Sequence, residues 1–436
     1  MTNVMKSNTF SGKNIFKNTS WLFFEKIFIM AINFFVSLWM ARYFGPEKFG
    51  DYNYALAIVS LFSSFVPLGL IGYLVKELSQ NPENEREILG TSFLLRLLGG
   101  VLGFIISTIV GLSFIKDDDV FILFMFFNIM LLIQPFEVIY LFFESKIQSK
   151  VSVMSRLIGF VISSLIKIIL ILNNSSLEIF GLVYVSEFIF SLILITFYYN
   201  KKVINIKKWN FSKDLSKKYL KSTWPLMLSS LSAIIYLKAD QIMLNSMSGS
   251  KEVGIYAAAV KLSEVWFFLP TIITSSVFPV LISSRENKSE FEKVLQKNYD
   301  FLFGLAFFAA ILITLFADLI IKYTYGIEYQ DSALVLKIHV WGAIFVFMKA
   351  LLNRWFIIEE MLKFSAFTHV LGMVINIILN ILLIPKYGAI GASIATVISY
   401  VFSIYLITFL FKKTRKEGIK MTKSFFIFFR IFRNNY

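Results

Sequence analysis

Apolar residues in this chain come in blocks of about 20, separated by short polar connections. An α-helix needs roughly 20 apolar residues to cross about 30 Å of hydrocarbon. Inside lipid the backbone must satisfy its own hydrogen bonds, so continuous apolar blocks are read as helices. Strands of a membrane barrel would instead alternate apolar and polar positions at period 2. The blocks fall at 19–41, 52–76, 89–115, 120–143, 152–172, 177–199, 222–247, 253–283, 299–321, 334–357, 364–385 and 389–411. They predict an all-α, polytopic membrane protein of about 12 transmembrane helices, with both termini on one side. The first block is too long for a cleavable signal and lacks a small-residue cleavage site, so it is expected to remain as a span.

Charge sets the orientation. Of the 43 Lys and Arg, 30 lie in the two tails and the even-numbered connections, and seven lie in the odd-numbered ones, counting a residue at a span end with the connection beside it. Basic residues hold loops in the cytoplasm, so both termini are expected there. The same bias accounts for the net charge of +15 without a nucleic-acid partner. There are no cysteines, which excludes disulfides and thiolate metal sites, and the two histidines, His339 and His369, sit in apolar stretches. No metal or cofactor is expected.

The chain carries an internal repeat. A shift of 204 residues aligns Gly45 with Gly249, Gly50 with Gly254 and Tyr52 with Tyr256. In each copy a span ends, a Gly-bounded turn carries Glu47-Lys48 or Lys251-Glu252, and the next span opens with Gly-x-Tyr and alanines. Phe180-Gly181-Leu182 resembles Ile390-Gly391-Ala392 near the end of each copy. Together these favour two parallel six-helix pseudo-repeats, a design in which substrate sits between repeats that rock against each other. The expected organisation is a six-helix bundle over 1–200, a basic cytoplasmic linker over 201–221, a second bundle over 222–411, and a basic tail over 412–436. In the tail, Phe425-Phe426-Ile427-Phe428-Phe429 with Arg430 and Arg433 has the composition of an interfacial helix.

Ionisable groups within spans cost roughly 2.5 to 3.5 kcal/mol each at a helix centre, so they tend to face a bundle interior or a wet cavity. The candidates are Glu25, Lys26, Arg96, Glu137, Lys167, Glu187, Lys238, Asp240, Lys261, Glu264 and Lys349. Glu25, Lys26, Lys167 and Lys349 lie near span ends and can snorkel. Arg96 lies about two turns inside its span, Glu187 near mid-span, and Lys238, Asp240, Lys261 and Glu264 at similar depth on spans 7 and 8. That last group reads either as a self-satisfying ion-pair cluster or as a polar cavity that receives an anion. Arg96, Lys238, Lys261 and Lys26 are the substrate-binding candidates; Asp240, Glu264, Glu187 and Glu25 are the coupling candidates. Asn376 and Asn380, spaced i, i+4, are placed for helix–helix hydrogen bonds or sugar contact. Pro67, Pro135 and Pro270 are placed to kink spans 2, 4 and 8.

The stretch Ala41-Arg42-Tyr43-Phe44-Gly45-Pro46-Glu47-Lys48-Phe49-Gly50 resembles the signature closing span 1 of Wzx-type polysaccharide flippases, a branch of the superfamily that includes MATE exporters. Trp21 and Glu25 match the usual residues of span 1. Lys238-Ala239-Asp240-Gln241 resembles the charged segment of span 7, Tyr323-Thr324-Tyr325-Gly326 with Tyr329 the turn after span 9, and Pro385-Lys386-Tyr387-Gly388-Ala389-Ile390-Gly391-Ala392 the start of span 12. The resemblance implies a MATE-like V-shaped bundle in a bacterial inner membrane. It also implies a flippase that moves undecaprenyl-pyrophosphate-linked oligosaccharide, for O-antigen or capsule, to the periplasmic leaflet by ion- or proton-coupled alternating access. Its implied partners are that lipid-linked sugar, membrane lipids, and the polymerase and chain-length regulator of the same pathway. The chain has no P-loop pattern for ATP use.

Two other classes compete. A MATE-like multidrug or cation antiporter should have an acidic cavity, whereas the intramembrane charges counted here are six basic and five acidic. An oligosaccharide polymerase or ligase should carry a large periplasmic loop with catalytic Arg or His, and the odd-numbered connections are short. The chain is therefore expected not to be an enzyme.

Overall fold

The computed structural model describes residues 12–427 and Arg430; Phe428, Phe429 and Arg433 of the tail run lie outside the described residues. The helices, in order, are α1 (Gly12–Ser63), α2 (Leu70–Gln80), α3 (Glu85–Phe114), α4 (Asp118–Ile133), α5 (Val138–Ser145), α6 (Ser149–Leu172), α7 (Leu177–Lys202) and α8 (Lys213–Ser248). They continue as α9 (Ser250–Glu264), α10 (Phe268–Ser284), α11 (Lys288–Thr324), α12 (Ser332–His339), α13 (Gly342–Ile358), α14 (Leu362–Tyr400), α15 (Ile407–Leu410) and α16 (Arg415–Phe425).

Nine helical stretches among the described residues are long and apolar enough to cross a membrane. Two of them, in α1 and α14, each hold two apolar blocks joined at a non-helical glycine, Gly45 and Gly388. The block on α8 is interrupted by Lys238 and Asp240 and is the least apolar. Counted this way, the helices account for the 12 apolar blocks of the sequence. Outward faces remain strongly apolar: Leu172 and Leu315, for example, are 67% and 69% exposed, as lipid-facing side chains should be.

Pro67 and Pro135 fall where helices break, whereas Pro225 and Pro279 lie inside α8 and α10. Span 2 stops at Ser63 and resumes at Leu70 after Pro67, through Leu68 and Gly69 at positive φ. Span 4 passes through a 3-10 turn, Gln134–Glu137, around Pro135. A proline lacks the N–H that would bond back one turn and its ring crowds the preceding carbonyl. The turn at Pro135 tilts Glu137 off the regular ladder and toward α3.

Contacts divide the chain into two compact units. Unit 1 holds the described residues up to Tyr43 together with Tyr54–Ile234; unit 2 holds Phe44–Asn53 and the described residues from Ile235 onward. Unit 1 has a core of Tyr140, Phe142, Phe143, Leu192, Ile195 and Tyr199. Unit 2 is centred on Leu302, Phe303, Phe347, Met348, Leu351 and Phe356. In a membrane, close backbone approach replaces the hydrophobic effect as the force between helices. Gly159 supplies one such approach, since a Cβ there would collide with Ser191 and the Glu187 carbonyl. That brings α6 against α7 with their polar residues facing each other.

The two repeated turns have one backbone shape. Gly45 has φ 71°, ψ 173° and Gly249 has φ 90°, ψ 170°, conformations open to glycine but strained for other residues. Within unit 2 these turns also meet reciprocally. A Cβ on Gly50 would strike the Ser250 carbonyl, and a Cβ on Gly254 would strike the Pro46 carbonyl. Position 46 plus the repeat shift is 250, and 50 plus the shift is 254, so the contact is isologous, as across a two-fold axis.

Candidate functional site

Unit 1 gathers its span-borne charges around one cavity of about 240 Å³, whose lining includes Gln134, Glu137, Tyr140, Glu144, Arg156 and Glu187. Arg156 of α6 forks onto the buried Glu25 of α1, with Nε to Oε1 at 2.5 Å and Nη2 to Oε2 at 3.0 Å. Its other edge lies 3.8 Å from Glu144, and its plane lies 5.0 Å from the Tyr140 ring centroid. This bidentate geometry is one that lysine cannot make. Deeper in the unit, Arg96 of α3 is fully buried and donates from Nη2 to Glu137 at 2.7 Å and to the Gln134 carbonyl at 3.2 Å. Its Nε and Nη1 are buried without a hydrogen-bond partner. Lys167 lies 3.7 Å from Glu187, which also accepts from Ser163 at 2.9 Å. Arg156 and Lys167 share one helix, about 16 Å apart along its axis at 1.5 Å per residue. Three cations of unit 1 are thus each held by a carboxylate.

Unit 2 uses different chemistry. Asp240, 3% exposed, accepts from Tyr256 at 2.5 Å, from Asn380 at 2.5 Å and from Thr396 at 2.6 Å. Asn380 also donates to Asn376 at 3.1 Å, and Asn376 reaches Thr396 at 3.4 Å. The donors to Asp240 are neutral, and among the described residues no lysine or arginine forms an ion pair with it. The Asn380 carbonyl oxygen is buried without a partner. Three helices, α8, α9 and α14, converge on this carboxylate. Lys238 interacts electrostatically with Glu264. The Lys261 ammonium lies 5.9 Å from the Phe49 ring centroid.

The sequence candidates therefore separate. Glu25 and Glu187 belong with the unit 1 cavity; Glu25 does not snorkel but is buried against Arg156. Arg96 stands behind the cavity wall and reaches it through Glu137. Lys26 is exposed on α1, outside the cavity lining, and acts electrostatically on Glu144. Lys167, placed near a span end, is buried against Glu187, while Lys349 meets His369 at 3.4 Å. Asp240 forms its hydrogen bonds with Tyr256, Asn380 and Thr396, while it and Lys238 both act electrostatically on Glu264. Sequence reading passed over Arg156, which sits at the edge of the block 152–172 and counted with the basic connection beside it. The available signal was its place about two turns inside α6, on the same face as Ser163 and Lys167.

A family model described as polysaccharide biosynthesis protein matches residues 15–283. The chain belongs to this polysaccharide biosynthesis family. A second model, MatE, matches residues 225–382. The capsular polysaccharide biosynthesis protein CapF of Staphylococcus aureus is 24% identical over 406 residues, covering 91% of this chain and 99% of that protein. A putative O-antigen transporter of Shigella flexneri is 22% identical over 426 residues, covering 92% and 98%. Among solved structures, an inward-facing MATE multidrug transporter of the MOP superfamily matches with TM-score 0.68 at 16% identity, over 90% of this chain and 96% of that one. The lipid II flippase MurJ matches with TM-score 0.52 at 19% identity, over 94% and 92%. The fold is therefore that of the MATE/MOP transporters, with about 12 membrane helices, and this member of the polysaccharide biosynthesis family is a multi-pass membrane protein. The resemblance carried by residues 41–50 and the later motifs holds.

Proposed function

We propose that the chain flips polyprenyl-pyrophosphate-linked oligosaccharide, undecaprenyl-linked in a bacterium, from the cytoplasmic to the outer leaflet of the cytoplasmic membrane by coupled alternating access. The observation that carries this reading is the ladder of cations in unit 1, in a chain whose family works in polysaccharide biosynthesis. A pyrophosphate with several sugars cannot cross hydrocarbon unaided. Arg156 is the cation that opens onto the cavity, and its fork fits two phosphate oxygens as well as it fits Glu25. Arg96 and Lys167 offer later partners at greater depth; Lys238 and Lys261 are the corresponding candidates in unit 2.

Each exchange must deal with the carboxylate left behind. Removing one partner of a buried ion pair costs about 3 to 5 kcal/mol. A proton delivered to the released Glu25 or Glu187 offsets that cost, which links substrate movement to proton uptake. Asp240 is the second coupling candidate, a buried carboxylate whose donors Tyr256, Asn380 and Thr396 carry no charge that would repel a monovalent cation. Polymerase and chain-length regulator would act on the product at the outer leaflet.

A second reading has one observation in its favour. Glu137, Glu144 and Glu187 line the unit 1 cavity against the single cation Arg156, as a MATE-like exporter of organic cations would require. Deletion separates the two. The flippase reading expects loss of surface polysaccharide, with lipid-linked units accumulating on the cytoplasmic side, and restoration by the wild-type gene. Unchanged surface polymer in a strain without a second flippase, together with increased sensitivity to cationic drugs, overturns it in favour of export.

A further inference from the structure

Beyond span 12 the sequence turns abruptly basic, and α16 folds that segment back onto unit 2. Its buried stripe is Glu417, Gly418, Lys420, Met421 and Ser424, spaced for one helix face against α11 and α15. Gly418 permits the approach, because a Cβ there would collide with Thr408 and Phe409. Thr414 locks the turn by donating to the Thr408 carbonyl at 2.7 Å. Three acids, Glu292, Asp300 and Glu417, hold this platform. Lys420 pairs with both Glu417 and Glu292. Asp300 accepts from Ser424 at 2.7 Å and from Gln296 at 2.9 Å, and pairs with Arg430 at 3.1 Å.

What remains outside is mostly cationic, with exposed carboxylates at Glu286, Glu290, Glu359 and Glu360. Lys288 and Lys293 of α11 and Lys412, Lys413, Lys416 and Lys423 around α16 are all exposed, and among the described residues none forms an ion pair. They border two adjoining grooves of about 560 and 750 Å³. The carboxylates lining these grooves are Glu292, Glu359 and Glu417, and the first and last are held by Lys420. Ile419 and Phe426 stand exposed among the lysines, at 43% and 55%. Cations interleaved with apolar side chains, at the mouth of two membrane-crossing helices, match the chemistry of an anionic bilayer surface.

We propose that this α16 surface binds the headgroups of anionic phospholipids in the leaflet on the basic, cytoplasmic side. The occupant follows from complementarity: phosphodiesters for the lysines, glycerol and upper acyl carbons for Ile419 and Phe426, all at the depth where α11 and α14–α15 leave the membrane. The proposal uses the positive-inside orientation but not the flippase reading, so a transport failure leaves it standing.

The test uses the full chain in nanodiscs of phosphatidylcholine with or without phosphatidylglycerol, with retained lipids counted by native mass spectrometry. Each lysine near an anionic surface is worth about a fivefold preference. The combined variant K412E/K413E/K416E/K423E is expected to lose phosphatidylglycerol retention by about tenfold or more, while phosphatidylcholine retention stays constant. The neutral set K412Q/K413Q/K416Q/K423Q should fall between, and it serves if charge reversal disturbs folding. Added inorganic phosphate should not displace the lipid. Undiminished phosphatidylglycerol retention in both variants overturns the proposal, as does displacement by phosphate. Loss of transport in cells with unchanged lipid retention would assign the surface to an acidic protein instead.

Discussion

In unit 1, Glu25, Glu137 and Glu187 each face a cation and the pairs surround a cavity; in unit 2, Asp240 faces Tyr256, Asn380 and Thr396, and among the described residues no cation forms an ion pair with it. Both regions bury carboxylates in membrane-crossing helices, yet they stabilise them in opposite ways. An ion pair keeps both charges fixed and makes the loss of either partner expensive. A ring of neutral donors stabilises one charge by hydrogen bonds of about 1.5 to 3 kcal/mol each and leaves the total charge of the site free to change. The first arrangement is suited to swapping one anion for another, the second to taking up and releasing a small positive charge.

Three substitutions probe that contrast. The largest effect should come from Arg156→Ala, which strands Glu25 in unit 1. A loss of about 3 to 5 kcal/mol of stability is expected, together with loss of flipping. The double variant Arg156→Met, Glu25→Gln should regain thermal stability in detergent without regaining transport in reconstituted vesicles. Transport by that double variant would reduce the pair to a structural clamp and break the comparison.

Asp240→Asn should be milder. It keeps the shape of the side chain but turns one accepting oxygen into a donor, leaving one buried donor unmatched at about 1 to 3 kcal/mol. Flipping, if retained, should become insensitive to an imposed proton or cation gradient. Full gradient dependence in this variant would move coupling away from unit 2.

The smallest effect belongs to the rim. Lys218, half exposed, donates to Glu77 at 3.0 Å, and this bond holds its ammonium above the ordinary lysine range. A raised lysine contributes stability at pH below its unfolded value and loses it as pH rises through the folded one, so the contribution is present at neutral pH and only its loss is confined to alkaline solution. Lys218→Ala should cost about 0.2 to 1 kcal/mol near neutrality, measured as a small shift in melting temperature with no change in transport. A cost as large as that of Arg156→Ala would erase the distinction between buried and surface pairs.

Much of the fold was legible because lipid punishes unpaired backbone. Blocks of apolar residues had to be helices, and their number and basic connections followed from length and charge alone. The repeat was legible too: Gly45 and Gly249 occupy equivalent positions and adopt the same backbone shape. The site was only half legible. A charged residue within a span announces that it has a partner but does not name it. Glu25 read as a residue free to snorkel and is buried under Arg156. Asp240 read as a neighbour of Lys238 and Lys261 and is held by Asn380 and Thr396, some 140 and more positions along the chain.

By itself, then, the sequence determined the solvent each segment occupies, the helical state that solvent enforces, and which polar residues enter the membrane against their cost. Only the tertiary structure decided how those residues pair. Ion pairs and hydrogen bonds act over a few ångströms between helices, and helix–helix registry in lipid is set by close approaches such as Gly159 on Ser191 and Gly50 on Ser250. Such approaches depend on which surfaces meet, and no run of residues within one span contains that information.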